Sequence, residues 1–173
     1  MKTFPATPGR FRALWGATLL LLVACSSPEP VTSSPFNTTD TAWIQLMVPM
    51  NEQLLPALDL VPPALAAFAA DLRASHEQEL VALKRLRARA GLPDANPHVG
   101  HQMPGLVSEA DLAALRLDPS GLPAKLREHL GQSALLARGE QDSGADQETR
   151  ELAGAITAKR AAQTAELGVA SSP

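Results

Sequence analysis

The stretch that decides the fold is LAAFAADLRASHEQEL, residues 65–80. Its apolar residues recur at steps of three and four, which is the period of one face of an α-helix. We therefore predict a helix over about residues 63–90, which ends at Gly91 before Pro93. The predicted buried face consists of Leu65, Ala69, Leu72, His76, Leu80, Leu83 and either Leu86 or Arg87.

A second stretch, LAGAITAKRAAQTAEL at residues 152–167, aligns with the first one without a gap. We interpret the similarity as two related helical hairpins, and a duplicated helical pair predicts an all-α, antiparallel four-helix bundle. The low aromatic content of 3% also favours helices over sheets. The identical pairs are Leu65 with Leu152, Ala66 with Ala153, Arg73 with Arg160, Glu79 with Glu166 and Leu80 with Leu167.

The same periodicity predicts the remaining helices of a bundle domain over residues 36–168. The first helix begins at a Thr38 or Thr39 cap, and Pro49 and Pro56 within it should bend it. A polar turn, GEQDSGADQ, separates the last two helices, and a short tail follows the bundle. The predicted ranges are 39–60, 108–115, 122–138 and 148–167 for helices, with 169–173 as the tail.

The N-terminus has the layout of a bacterial secretory leader. Basic residues precede the apolar run ALWGATLLLLVA, and LVAC at residues 22–25 resembles a lipobox. We predict a lipoprotein signal peptide over residues 1–24, lipidation of Cys25, and a Ser- and Pro-rich tether over residues 25–35. An ordinary signal peptide with a cysteine nearby is the alternative. Either way we expect an extracytoplasmic protein, and with the lipid one that is anchored to a membrane in the periplasm or at the cell surface.

Composition and motifs argue against two classes of function. The net charge is −3 and the sequence contains no long basic block, so nucleic acid is not an expected partner. The chain has no GxSxG, HExxH, P-loop or dinucleotide-binding motif, and its single cysteine lies at the leader junction. We therefore expect no enzymatic activity.

The order of motifs resembles the domain-of-unknown-function 305 family. That family has an Asp, then F-x-x-x-M-I-x-H-H and A-x-x-M-A, a helix ending Q-x-x-E-I, a Gly/His/Met-rich connector and a second H-H half. Here DTAWIQLMVPMNEQLLPAL at 40–58 fits the first element and RASHEQELVALKRL at 73–86 the end of the first hairpin. HVGHQMPGLVSEADLAAL at 98–115 is similar to the connector, and 129–167 fits the second half. The resemblance covers about residues 36–167 and implies secreted or lipid-anchored proteins with a ferritin-like bundle.

The chain departs from that pattern at the histidines. Met50 and Asn51 stand where the family has its first His-His pair, and His129 and Leu130 stand at the second. Some family members handle copper, which imidazole and thioether ligands suit. The resemblance carries that role only to His129, with Met50 as a possible soft substitute, so we interpret the chain as a degenerate member.

The candidate metal ligands each have a simpler structural interpretation. His98 and His101 lie three residues apart in the connector, with Met103 beyond them, but no third rigid ligand is specified. His76 falls on an apolar helix face and is better explained as a hydrogen-bonded core histidine. Met50 suits core packing. The full candidate set is His98, His101, Met103, His129, His76 and Met50.

Two functions remain from different classes. The leading hypothesis is a lipid-anchored extracytoplasmic binding or interaction protein that has largely lost the family's His/Met site and carries no cofactor. It contacts the membrane through its lipidated N-terminus, and its partner is an unidentified protein or small molecule. The alternative is a periplasmic or cell-surface protein that binds or buffers copper.

Overall fold

The computed structural model describes residues 34–170, and within them the chain forms α-helices, short 3₁₀ turns and no strand. The predicted all-α helical bundle is confirmed. The predicted signal peptide, Cys25, most of the tether and residues 171–173 lie outside the described residues. The helices are α1 (Thr38–Leu54), α2 (Ala66–Arg89), α3 (Glu109–Leu117), α4 (Leu122–Ser143) and α5 (Gln147–Ala170).

The N-cap of helix α1 lies one residue before the first of the two predicted caps, Thr38 and Thr39. Asn37 is the N-cap: its Oδ1 accepts hydrogen bonds from the backbone N–H groups of Thr39 and Asp40, at 2.8 and 3.0 Å. Asp40 accepts in return from the Asn37 N–H, which completes a capping box. Pro49 lies inside the helix, but the α-helix ends at Leu54 and continues as a 3₁₀ turn to Leu60. Pro56 has no N–H to donate, so the predicted helix does not run unbroken to residue 60.

Helix α4 extends through most of the segment that the sequence predicts as a turn. It ends at Ser143 rather than about residue 138, and α5 begins at Gln147. The Asn37 side chain donates to the Ser143 carbonyl oxygen at 2.8 Å. The Asp40 carboxylate accepts from the N–H groups of Ala145 and Asp146 at 3.1 Å each. Contacts with residues at the start of α1 therefore determine where this turn lies. The sequence of the turn itself does not indicate these contacts.

The four long helices enclose a core of two apolar clusters. Helix α1 packs on α2 and α4, and α5 packs on α4 and α2. One cluster includes Leu54 and Leu130, and the other includes Met47 and Ile156. Each long helix also has buried polar residues at sequence positions between its residues of the two clusters. These polar residues form a layer in the middle of the bundle. Over residues 34–170, no helix has the length and apolar character needed to cross a bilayer.

Candidate functional site

A layer of buried polar side chains lies between the two apolar clusters, and we call it the polar layer. Every member is at most 8% exposed. Because a polar group removed from water is unfavourable unless it is hydrogen-bonded, the partners within the layer decide what it can do. Its members are Asn51, Ser75, His76, Glu79, His129, Ser133, Arg160 and Gln163.

An ion pair between Glu79 of α2 and Arg160 of α5 lies within the polar layer. The two side chains make two parallel contacts, Nη2 to Oε2 at 2.5 Å and Nη1 to Oε1 at 3.0 Å. Arg160 also donates from Nε to Ser133 Oγ at 2.9 Å and from Nη1 to Gln163 Oε1 at 3.0 Å. This bidentate, hydrogen-bonded geometry is the form in which a buried charge pair is tolerated.

Neutral side chains complete the hydrogen bonding of Glu79. Asn51 donates from Nδ2 to Glu79 Oε2 at 3.1 Å, and Ser75 donates to Oε1 at 3.3 Å. Gln163 in turn donates to Ser75 Oγ at 3.2 Å. Asn51, which stands at a histidine position of the family pattern, is therefore part of the ion-pair network.

Two histidines that are 53 residues apart in sequence face each other in the polar layer. The Nε2 atoms of His76 and His129 are 3.0 Å apart. His76 Nδ1 lies 2.9 Å from the Leu72 carbonyl oxygen, and His129 Nδ1 lies 2.9 Å from that of Gly105. A carbonyl oxygen only accepts, so each Nδ1 carries the hydrogen and each neutral ring turns an Nε2 lone pair toward the other.

Neither histidine holds a second proton at neutral pH. Burial, then the Arg160 charge, lowers the pKa of His76 to about 3. Burial, followed by His76 and Arg160, lowers the pKa of His129 well below its ordinary value. The two imidazoles therefore present two electron-pair donors to the 3.0 Å gap between them.

The remaining metal candidates do not join this pair in a larger cluster. The His98 and His101 rings lie 5.9 Å apart in the connector, where His101 is exposed. Met103 is half-buried and packs on the core, and Met50 is buried in it. Across residues 34–170, no three His, Cys, Asp or Glu side chains come together in a group that could hold a metal ion. Zinc sites typically use four ligands, and a copper site would have only the two imidazoles.

A groove of 630 Å³ runs along the surface between α1 and α4, and we call it the α1–α4 groove. Sequence reasoning missed it. Helix α4 supplies half of the lining residues, and the sequence predicts that it ends at about residue 138, before Gly139, Glu140 and Ser143. Trp43 Nε1 is buried and lacks a hydrogen-bond partner within residues 34–170. The Glu140 carboxyl is also buried, and in its protonated form it hydrogen-bonds to the Asp40 carboxyl. The lining residues are Thr38, Thr39, Ala42, Trp43, Leu46, Leu135, Leu136, Gly139, Glu140 and Ser143.

The Glu140 carboxyl is the most perturbed acid of the groove. Burial, followed by a hydrogen bond with the Asp40 carboxyl and by the charges of Asp40 and Asp146, raises the pKa of Glu140 to about 8. Arg150 on α5 opposes that shift, but its Nε donates to the Gln141 carbonyl oxygen at 3.0 Å. At neutral pH Glu140 is therefore mostly a neutral acid.

Comparison with known proteins gives one similar fold. No protein-family model and no curated protein matches this sequence. Among solved structures, the chain is similar to the crystal structure of a DUF305 fragment from Deinococcus radiodurans, with a TM-score of 0.68 and 19% sequence identity. The match covers 79% of this chain and 97% of that one. The chain therefore has the helical-bundle fold of a domain-of-unknown-function 305 fragment.

Proposed function

We propose that this chain is a lipid-anchored extracytoplasmic binding protein that takes up a small ligand in the α1–α4 groove. One observation carries the binding role: the groove combines an apolar wall with Trp43, whose buried Nε1 has no hydrogen-bond partner in the described chain. Unpartnered buried polar atoms are rare in native proteins. An apolar pocket with a few convergent polar groups is the usual composition of a ligand site.

The resemblance implies a His/Met metal site, and the contacts within the polar layer support the inference that this chain has largely lost it. Asn51 is hydrogen-bonded to Glu79, and Glu79 is neutralised by Arg160. The centre of the bundle is therefore filled by a network that neutralises its own charges, although Asn51 Oδ1 has no hydrogen-bond partner within residues 34–170. Binding is accordingly assigned to the surface between α1 and α4 and not to the core.

A groove-filling substitution tests the binding role. Gly139 and Gly131 are both helical residues of α4 with open space around an added Cβ, but only Gly139 lines the groove. We expect the full chain to bind the neutral apolar dye N-phenyl-1-naphthylamine, and Gly139→Leu to weaken binding by about tenfold, the equivalent of 1.4 kcal/mol. Gly131→Leu, the matched control, should bind as the parent does. Fluorescence titration measures all three, and a dye that ignores Gly139→Leu or fails to bind the parent contradicts the proposal.

The anchor is tested at Cys25. Cys25→Ser removes the thiol that would be lipidated, so the protein should lose its acyl chains and either remain an uncleaved precursor or be released from the membrane, because several chains are what hold a lipoprotein firmly. Ser33→Ala in the tether is the control and should stay anchored. Mass spectrometry and detergent phase partitioning give the readout. A Cys25→Ser protein that is processed despite globomycin and still partitions into detergent would rule out the lipobox interpretation.

Copper binding is the second candidate, and the facing Nε2 atoms of His76 and His129 are the observation that favours it. Two unprotonated imidazoles suit a soft monovalent cation better than a divalent ion that needs more ligands. Silver(I) is a redox-inert probe for such a site. Stoichiometric binding of silver(I) that is lost in His129→Gln would place this candidate ahead of the groove.

A further inference from the structure

The connector between α2 and α3 reaches the polar layer at Gly105, which is buried. The next two residues, Leu106 and Val107, are buried in different apolar clusters. Because the polar layer lies between these clusters, this part of the connector crosses the layer. We call residues 103–107 the strap.

The backbone of Gly105 joins the strap to α4. Its carbonyl oxygen accepts from His129 Nδ1 at 2.9 Å, and its N–H donates to Glu128 Oε1 at 3.2 Å. A Cβ at this position would lie 2.6 Å from the Cβ of Gln132, which is too close for any side chain. The φ of +78° also favours glycine. The strap therefore lies directly against α4, beside the facing histidines.

The strap covers the histidine pair of the polar layer. His129 donates to it, and the side chains of His76 and His129 are both fully buried. We propose that the strap is a gate, which opens locally and gives small solutes access to this pair while the four long helices stay folded. Such access is a property of the polar layer and does not depend on binding in the α1–α4 groove.

Few interactions hold the strap in place. Its hydrogen bond to Glu128 is accessible to water, because that side chain is 42% exposed. Residues 93–102, which precede the strap, are mostly exposed, and Gly100 among them has open space around it. Segments with few buried contacts and exposed hydrogen bonds open at a lower free energy than the whole domain. We therefore expect the strap to open before the helices unfold.

Local opening and global unfolding differ in the surface that they expose. Lifting the strap exposes the side chains of Leu106 and Val107, whereas unfolding exposes both apolar clusters. The effect of urea on an opening equilibrium scales with the exposed surface. Urea therefore distinguishes the two routes by which a reagent could reach the histidines.

The experiment treats the full chain with diethyl pyrocarbonate, which reacts with an unprotonated imidazole nitrogen, and follows each histidine by mass spectrometry. His101 is exposed and gives the reference rate. We expect His76 and His129 to react at least about tenfold more slowly than His101, at rates that stay constant up to about 1 M urea. Rates that rise steeply from the first addition of urea, or no reaction of the pair in the folded protein, would overturn the gate.

Two glycines of the connector provide a matched pair of variants. Gly105 and Gly100 have φ values of +78° and +77°, so alanine strains the backbone alike at both. Only at Gly105 does the added Cβ collide with α4. Gly105→Ala should therefore raise the rate at the histidine pair by at least about tenfold, and Gly100→Ala should leave it unchanged. Equal rates in the two variants would contradict a gate at Gly105.

Glu128→Ala tests the strap without straining its backbone. It removes the side chain that accepts from the Gly105 N–H, so the rate at the histidine pair should rise by about threefold to tenfold. Arg127→Ala, at the neighbouring exposed residue of α4, should not change the rate. Far-UV circular dichroism verifies that each variant is folded. A folded Glu128→Ala protein whose histidines react at the parent rate would overturn the proposed gate.

Discussion

Replacing Arg160 with Met should lower the free energy of unfolding by about 3–5 kcal/mol, because it leaves the Glu79 carboxylate buried without a counter-charge. Arg160 is fully buried, and its guanidinium makes hydrogen bonds to Glu79, Ser133 and Gln163. Methionine fills much of the same volume, so the loss reflects charge and hydrogen bonding more than a cavity. Urea unfolding at neutral pH, followed by far-UV circular dichroism, measures it.

The sequence itself supplies the matched control. Arg73 is the residue that the alignment of the two hairpins equates with Arg160, and it pairs with Asp59, whose side chain is 71% exposed. Because an exposed ion pair contributes little, Arg73→Met should cost no more than about 1 kcal/mol. Equal losses at Arg73 and Arg160 would contradict a buried charge pair in the polar layer.

A double variant separates the ion pair from the rest of the network. Glu79→Met combined with Arg160→Met removes both charges, so it should be more stable than Arg160→Met alone. Recovery should be incomplete, because Ser133 and Gln163 still lose the donor that they share. A double variant no more stable than the single one would mean that the unpaired charge is not the source of the loss.

The two hairpins could be predicted because helical period is a local property of the sequence. The apolar positions from Leu65 to Leu86 lie on one buried face of α2, as the spacing predicts, with Leu72 and Leu83 almost fully buried. Ser108 also caps α3 as expected, since its hydroxyl accepts from the Asp111 N–H at 3.1 Å.

The boundaries and the site depend on residues that are distant in sequence. The end of α4 is held by Asn37, which is 106 residues away in the sequence. The polar residues around Ser143 therefore predict a turn that begins too early in the sequence. Arg73 and Arg160 look equivalent in the alignment, and only the position of Glu79 across the bundle makes one of them buried. The helical pattern places His76 on an apolar face, but nothing in it indicates that His129 is its neighbour.

Glu140→Gln should stabilise the protein at high pH, and this substitution tests the charge state of the buried Glu140 carboxyl beside Asp40. The folded chain holds the pKa of Glu140 at about 8, against an ordinary value of 4.5. Between these two values the unfolded chain has already released a proton that the folded chain keeps. Stability from this group is therefore lost steadily as pH rises from about 4.5 to about 8, and no more is lost above that.

Glutamine does not titrate, so the difference between Glu140→Gln and the parent should be small near pH 4.5. It should grow to at most about 5 kcal/mol in favour of the variant above pH 8, since the pKa differs by about 3.5 units and each unit corresponds to 1.36 kcal/mol. Urea unfolding at a series of pH values measures the difference, and Asp142→Asn on the exposed face of α4 should show no such slope. A constant difference across the pH range would mean that Glu140 is ionised at neutral pH.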